Sequence, residues 1–477
     1  PPKPQWRLLG DAVMPPIGFA SLASVLREND IEVKILDCSA TQTDWKELRR
    51  RIELEHPDVL GSGCATCHYD EAKRVFRIAK EVDSETITVA GGPHFSLATN
   101  YCLDECTDVD YVVVGEGEYT LLEFCKEIDA RSPNFKRIKG LALRTQTGPM
   151  LTEPRPLIQD LDQLPIPAWD LLPMDKYHIP VWGSKLTMLL TSRGCPFNCS
   201  FCSERVFWGG VWRARSAKKI VEEMEIVNSK FRKKFVWFAD DTFNLDRKRN
   251  EDFCNELIER DLDMEWSFEG RADLIFRDRD LLGKMVKSGL FWVLIGVEFS
   301  SRSEFKAYGK ELKPEDIEQT FKELKKYDVI TQAMFIVGTP KDTRESIKEK
   351  LNFAKKLEPF FVIFSPLTPL PGTEVYNEAK ENHRIEVQDF YKYDFAHAIM
   401  PTKTLSREEV DALILDCYKQ FYGISRLLHL FSLNKHKRGL TRYLLGLMLK
   451  ERIKDWFSRP KESSDKWKNQ LLEAAGT

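Results

Sequence analysis

Six apolar runs between residues 185 and 373 constrain this chain more than any other feature. They are KLTMLL (185–190), KFVWFADD (234–241), MEWSFEGRAD (264–273), FWVLIGVEFS (291–300), ITQAMFIVGT (330–339) and FFVIFSPLTPLPGT (360–373). After each comes a stretch with helical spacing. Continuous apolar strands alternating with helices build a parallel sheet that is covered on both faces. Six such units predict a partial (β/α)6 barrel over 185–399, with its chemistry at the carboxyl ends of the strands.

The first 145 residues show the same alternation on a smaller scale. IEVKILDC (31–38), DVLGSGC (58–64), TITVAGGP (86–93) and DYVVVGEG (110–117) read as strands. Helical spacing occupies 16–29, 44–56, 70–83 and 119–129. This predicts an α/β domain over 1–145, a Rossmann-like doubly wound parallel sheet. Prolines 149, 154, 156, 165, 167, 173 and 180 mark 146–184 as an extended linker, and 400–477 reads as a helical C-terminal region.

Net charge is −3, which implies no general attraction to nucleic acid. No apolar run approaches the roughly 18 residues that a transmembrane helix needs. The opening PPKPQWRLLGD has no apolar signal region. Eleven cysteines, an odd number, fit a reducing cytoplasm, where clustered thiolates bind metal rather than pair. High Lys, Glu and Arg content gives the chain an archaeal-like composition.

Directly after the first barrel strand stands TSRGCPFNCSFC (191–202). A closed zinc site takes four ligands and a disulfide takes two cysteines. Cys195, Cys199 and Cys202 are three, which suits a metal centre with one position open. A partial zinc site or three buried thiols would leave unexplained the polar residues at the other strand ends.

The spacing C-x3-C-x2-C, with Phe201 before the last cysteine, is similar to the signature of the radical S-adenosylmethionine (SAM) enzymes. That resemblance implies an anaerobic enzyme whose three thiolates hold a 4Fe-4S cluster, with SAM chelating the fourth iron. One electron, from a donor such as flavodoxin or ferredoxin, then cleaves SAM to a 5′-deoxyadenosyl radical. It further implies SAM-binding positions at successive strand ends: Asp240 and Asp241, Arg271, Glu298 and Ser300, and Ile336 and Gly338, with Phe201 beside the cluster. PLPGT (369–373) would close the sixth unit.

The N-terminal domain resembles the cobalamin-binding domain that often precedes such barrels. MPPIGFASLASVLREN, GSGCATC (61–67), AGGPH (90–94) and VVVGEGE (112–118) carry the likeness. It implies cobalamin contacts from Pro16, Gly18, Ser62, Thr66, Gly91, Gly92, Pro93, Gly115 and Glu116. Glycines at parallel strand ends let backbone approach a phosphate-bearing tail. Asp-x-His-x-x-Gly, whose His ligates cobalt in many cobalamin domains, is absent. CATCH (64–68) also fits a haem-attachment pattern, but that chemistry belongs to exported proteins. Cys102 and Cys106 read as packed or free. No second compact cysteine cluster follows the barrel, which argues against an auxiliary cluster.

The whole therefore resembles the cobalamin-dependent radical SAM family. The activity implied is methyl transfer to an unactivated carbon through methylcobalamin. Composition and the lone cluster resemble the enzymes that C-methylate a residue of methyl-coenzyme M reductase, such as its glutamine Cα-methylase, which implies a protein or peptide substrate. The alternatives are an oxidative cyclase or other radical transformation of a tetrapyrrole or lipid, and a non-enzymatic cobalamin or redox sensor. Basic residues interleaved with leucines in 434–461 read as a solvated helix face, or as a contact for an acidic partner, a protein substrate or a membrane surface.

Overall fold

The structure is a computed structural model that describes residues 13–179, 183, 185–422 and 434–442. The chain divides into two units, Pro1–Phe421 and Tyr422–Thr477. Within the second, residues 435–442 are helical, and most of the basic C-terminal run lies outside the described residues.

The N-terminal sheet is mixed. Strands β1 (Val59–Gly63), β2 (Ile87–Gly91) and β3 (Tyr111–Val113) are parallel neighbours. A hairpin of β4 (Leu141–Thr145) and β5 (Gly148–Leu151) adds two antiparallel strands beside β3. Residues 146–151, inside the range read as linker, thus belong to this sheet. Helices Trp45–Glu55, Tyr69–Val82 and Glu118–Ile128 form where the periodicity places them.

Among the described residues, the strand expected at 31–38 finds no ladder partner. The segment is extended, its residues alternate between partly buried and exposed, and Leu36 is exposed. Alternating apolar residues mark a half-buried extended chain, and ladder partners are a tertiary matter. The segment ends at Asp37, whose carboxylate caps the helix Cys38–Thr41 through Ser39 N (2.9 Å) and Ala40 N (3.1 Å).

All six barrel strands form. They are β6 (Leu186–Leu189), β9 (Phe235–Phe238), β10 (Glu265–Gly270), β11 (Leu290–Glu298), β12 (Ile330–Val337) and β13 (Phe361–Pro366). Between β6 and β9 lies a short antiparallel hairpin, β7 (Ser192–Arg193) with β8 (Arg213–Ala214). The six strands run in sequence order, every neighbouring pair parallel, with β6 and β13 at the two ends of the sheet. The barrel is therefore partial. Its outer helices are capped from the sequence: Ser216 accepts from Lys219 N ahead of Ala217–Phe231, and Thr343 with Ser346 forms a capping box ahead of Arg344–Leu357.

Inner and outer faces differ in their filling. Met188, Phe235, Trp237, Met334, Phe361, Ile363 and Ser365 are partly accessible, and in β9 and β13 they alternate with buried residues, which places them on the inner face. Trp237 stacks on Trp292 at 6.1 Å, and Trp292 meets Phe361 at 5.7 Å, an aromatic cluster on that inner face.

Gly194 allows the turn from β7 into the first cysteine. It sits at φ +87, and a Cβ there would come within 2.2 Å of the Val211 carbonyl oxygen. Gly194→Ala should therefore force the β7–β8 hairpin apart, at a local cost of about 1–3 kcal/mol. The expected outcome is a folded protein that loads less iron, measured as iron and sulfide per chain after anaerobic reconstitution.

Candidate active site at the barrel mouth

The cysteine loop is held from both sides. Asp240, at the end of β9, is almost fully buried, and its carboxylate accepts from Thr191 N (2.6 Å), Thr191 Oγ1 (2.5 Å) and Ser192 Oγ (2.6 Å). Arg249 adds bonds to Thr191 Oγ1 and, at 3.1 Å, to the Phe243 carbonyl. The family resemblance implies that Asp240 faces SAM, but its oxygens are taken up by the chain leading into the cysteines. Neighbouring Asp241 accepts from Gly194 N at 3.1 Å, and the Thr242 hydroxyl donates to Cys195 Sγ at 3.2 Å.

Arg271 stacks its guanidinium 3.6 Å from the centroid of Phe197, inside the loop, and bonds Asp273 and the Glu311 carbonyl. Ser200 N donates to the Tyr308 carbonyl (3.1 Å), and Val375 N donates to the Ser200 carbonyl (3.3 Å). Phe201 packs edge-on against Phe299 at 6.0 Å and against Tyr308 at 6.2 Å, and those two rings stack on each other. Segments after β9, β10, β11 and β13 thus all grip one loop.

Burial pushes the Cys199 and Cys202 thiols up, Cys202 to about 12, while Lys310 and Arg271 hold Cys199 lower. Among the described residues no three His, Cys, Asp or Glu side chains converge as a single metal ion requires. A cubane asks for something else, because each thiolate takes a different iron. Three thiols flanked by Lys310, Arg271 and the Thr242 hydroxyl suit such a cluster, whose bound thiolates carry negative charge.

The remaining barrel candidates divide. Glu298 sits at φ +66 after a bulge in β11 and pairs with buried Lys310 at 3.0 Å. Ser300 is half-buried beside Phe299. Ile336 is buried, and Gly338, at φ +77, lies under Val410 of the helix Arg407–Phe421, 2.8 Å from where a Cβ would stand. Sequence reading missed Glu204, Glu269 and Lys310. Glu269 had a signal: on a strand, the residue two before Arg271 shares its face.

These carboxylates crowd one another. Burial first, then Glu204 and Asp240, push Asp241 up to about 8. Burial and then Glu298 push Glu269 up to about 7, against the pull of Lys310. Glu269 lies deep in the protein yet keeps partial exposure.

In the N-terminal domain, Pro16 precedes the helix Ile17–Arg27, and Gly18 and Gly115 have open space where a side chain would be. Ser62 and Thr66 are buried. Gly63 lies close to the Gly91 carbonyl, and Gly92, at φ +84, leads into Pro93 and the helix Gly92–Leu97. His94 is fully buried and pushed down to about 4 by burial; its Nδ1 meets Thr66 Oγ1 at 3.2 Å. His94 Nε2 and Arg213 Nε and Nη2 are buried without a partner, polar atoms that fit a ligand rich in amide carbonyls and phosphate, as cobalamin is. Glu116 departs from the expectation. Its carboxylate is enclosed by Arg193, Arg213 and Ile158 N, and so faces the barrel module rather than an open cofactor surface. Buried carboxylates need charged partners, and only the folded chain brings those arginines near.

Two outcomes test this site. Replacing Cys195, Cys199 and Cys202 together with Ala should abolish the roughly four irons that one cubane brings to reconstituted protein; retained iron and sulfide would reject the assignment. Glu269 gives a pH effect. Its carboxyl is raised from an ordinary 4.5 to about 7, so stability should fall as pH rises through that window, where the unfolded chain has released a proton that the folded one keeps. Glu269→Gln should remove that slope, gaining about 1–3 kcal/mol over wild type near pH 8 and nothing near pH 4, by denaturant midpoints of cluster-free protein.

Comparison with known proteins extends this geometry. Residues 11–124 match the B12 binding domain, and residues 189–354 match the radical SAM superfamily. The chain is 34% identical to the uncharacterized methyltransferase PH0819 of Pyrococcus horikoshii, over 90% of this chain and 94% of that one. It is 32% identical to the anaerobic magnesium-protoporphyrin IX monomethyl ester cyclase of Rubrivivax gelatinosus, over 93% of this chain and 80% of the cyclase. Its fold is similar to that of OxsB, a cobalamin-dependent SAM radical enzyme solved with aqua-cobalamin and SAM bound, at TM-score 0.72 and 17% identity, over 98% of this chain and 74% of that one. The chain belongs to the cobalamin-dependent radical SAM methyltransferase family, which also includes cyclases, and is an enzyme that works with a 4Fe-4S cluster, SAM and cobalamin.

Proposed function

We propose that this enzyme methylates an unactivated carbon of a protein or peptide, with a glutamine Cα of methyl-coenzyme M reductase as the specific target. The observation that carries methyl transfer is the meeting of the two modules in one unit: the helix Gly92–Leu97 packs against Ser203–Phe207, directly after Cys202. Cobalamin supplies the methyl carrier, and the cluster with SAM supplies the radical. The chain supplies proximity, by holding both cofactors at one cleft. The protein substrate rests on the single cluster and charge-rich composition. Glu269 agrees with it, since a carboxyl at the barrel mouth suits an amide donor better than a hydrocarbon.

SAM contacts are assigned to Asp241, Arg271, Glu298, Ser300, Ile336 and Gly338, and cobalamin contacts to Pro16, Gly18, Ser62, Thr66, Gly91, Gly92, Pro93 and Gly115. An electron donor such as flavodoxin or ferredoxin and a cytoplasmic location complete the reading. All eleven cysteines are unpaired, which agrees with a reducing compartment, and no helix among the described residues is long and apolar enough to cross a membrane.

A second reading, oxidative cyclisation, is favoured by the similarity to the Rubrivivax gelatinosus cyclase. Product stoichiometry separates the two. Methyl transfer uses one SAM for the radical and one to recharge cobalt. 5′-Deoxyadenosine and S-adenosylhomocysteine should therefore appear in near-equal amounts with each methylated product, once uncoupled cleavage is subtracted. 5′-Deoxyadenosine and modified substrate without S-adenosylhomocysteine would sink methyl transfer and favour the cyclase.

A further inference from the structure

Four charges are buried where the two modules meet: Glu116, which the resemblance implies at cobalamin, Arg213, whose Nε and Nη2 stay unpartnered, and Glu118 and Arg193, which no expected ligand set includes. Arg193 donates to Glu116 Oε1 at 2.8 Å and to Glu118 Oε1 at 2.6 Å. Arg213 donates from Nη1 to both oxygens of Glu116 at 2.8 Å and to the Ile158 carbonyl at 2.8 Å. Ser21 completes Glu118 at 2.7 Å, and Ile158 N completes Glu116 at 2.8 Å. The four side chains are at most 9% exposed. Trp208 lies 5.9 Å and 5.7 Å from the two guanidinium carbons.

Stability alone is a poor account of this arrangement. Two cations and two anions are taken out of water, and well-packed apolar residues of the same volume would often serve as well. Charges add directionality: Arg193 spends Nη1 on Glu116 and Nη2 on Glu118, so its planar guanidinium fixes the two carboxylates relative to each other. The placement gives that geometry a use. Glu116 and Glu118 lie in the short turn after β3 and at the first position of the helix Glu118–Ile128, flanking Gly117. Arg193 precedes Cys195 by two residues, and Arg213 is its neighbour on the hairpin strand β8. The loop on the cobalamin side is thus tied to the cysteine loop through direct hydrogen bonds.

We propose that Glu116, Glu118, Arg193 and Arg213 form a brace that sets the spacing between cobalt and the iron–sulfur cluster, with Glu118 and Arg193 as positioning residues. The proposal rests on both cofactors being bound, and it holds whether the product is methylated or cyclised. A misplacement of about 1 Å between reacting groups can cost about a hundredfold in rate, so a rigid tie at this junction has a chemical consequence.

The test needs no substrate. Full-length protein is reconstituted with iron, sulfide and hydroxocobalamin, then reduced so that cob(II)alamin and the reduced cluster are both paramagnetic. Dipolar coupling between the two spins reads their separation. Wild type should give one defined coupling. Glu118→Gln, nearly isosteric, should load iron and cobalamin yet show the coupling broadened or shifted. Arg193→Lys should restore part of the wild-type pattern that Arg193→Met loses, and Glu118→Lys combined with Arg193→Glu should restore more than either single change. Unchanged coupling in both Glu118→Gln and Arg193→Met would overturn the proposal. So would loss of iron loading in every variant, Arg193→Lys included, because the charges would then serve folding alone. Failure of the methyl-transfer reading would show in product stoichiometry and leave the spin coupling as it is.

Discussion

Asp240 has almost no water within reach, and its carboxylate is nonetheless satisfied. Two hydroxyls and a backbone N–H from Thr191 and Ser192 surround it. An unpaired carboxylate at that depth would be expensive, so the chain after β6 has little freedom to leave. Everything distal follows from that anchor. Ser192 and Arg193 enter the β7–β8 hairpin, Gly194 turns, and Cys195 emerges beside the Thr242 hydroxyl. The cysteine loop is then clasped from β10 by Arg271 on Phe197 and from the segment after β11 by Tyr308. A loop with three cluster ligands has no regular hydrogen-bond ladder of its own, and borrowed contacts give it rigidity.

The carboxylates at the barrel mouth work differently. Glu204, Asp241, Glu269 and Glu298 stand close enough that burial and mutual repulsion raise Asp241 and Glu269, while Lys310 and Arg271 offset part of the negative charge. Such crowding is costly to a fold and common at reaction centres. Here it lies beside the loop whose thiolates the cluster needs, and above the aromatic cluster of Trp237, Trp292 and Phe361. Polar groups at the rim and apolar groups deeper inside suit a reaction that must hold charged SAM and keep a radical from water.

The barrel was legible because its strands are continuous apolar runs with polar ends, and the cysteine spacing is compact enough to read as a ligand set. The segment 31–38, which finds no ladder partner among the described residues, shows the limit. Ile31, Val33 and Ile35 alternate correctly, yet alternation does not supply a neighbour to pair with. The hairpin Leu141–Leu151 straddles the domain boundary expected from the sequence, because Gly148 and Pro149 look like linker chemistry. Glu116 and Asp240 were read as ligands because both follow strands at the right end. Their partners, Arg193, Arg213, Thr191 and Ser192, lie 48 to 97 residues away, beyond any local pattern.

By itself the sequence determined the strand–helix alternation, the two modules, and the three thiols with a vacant fourth position, because these depend on residue type and short spacing. The tertiary structure decided which carboxylates are left to meet a ligand and which hold the scaffold. Glu269 enters the site, Asp240 pins the cysteine loop, and Glu116 with Glu118 ties one module to the other. The reason is electrostatic: the role of a buried carboxylate is set by the cations and donors within a few ångströms of it, and those arrive from distant parts of the chain.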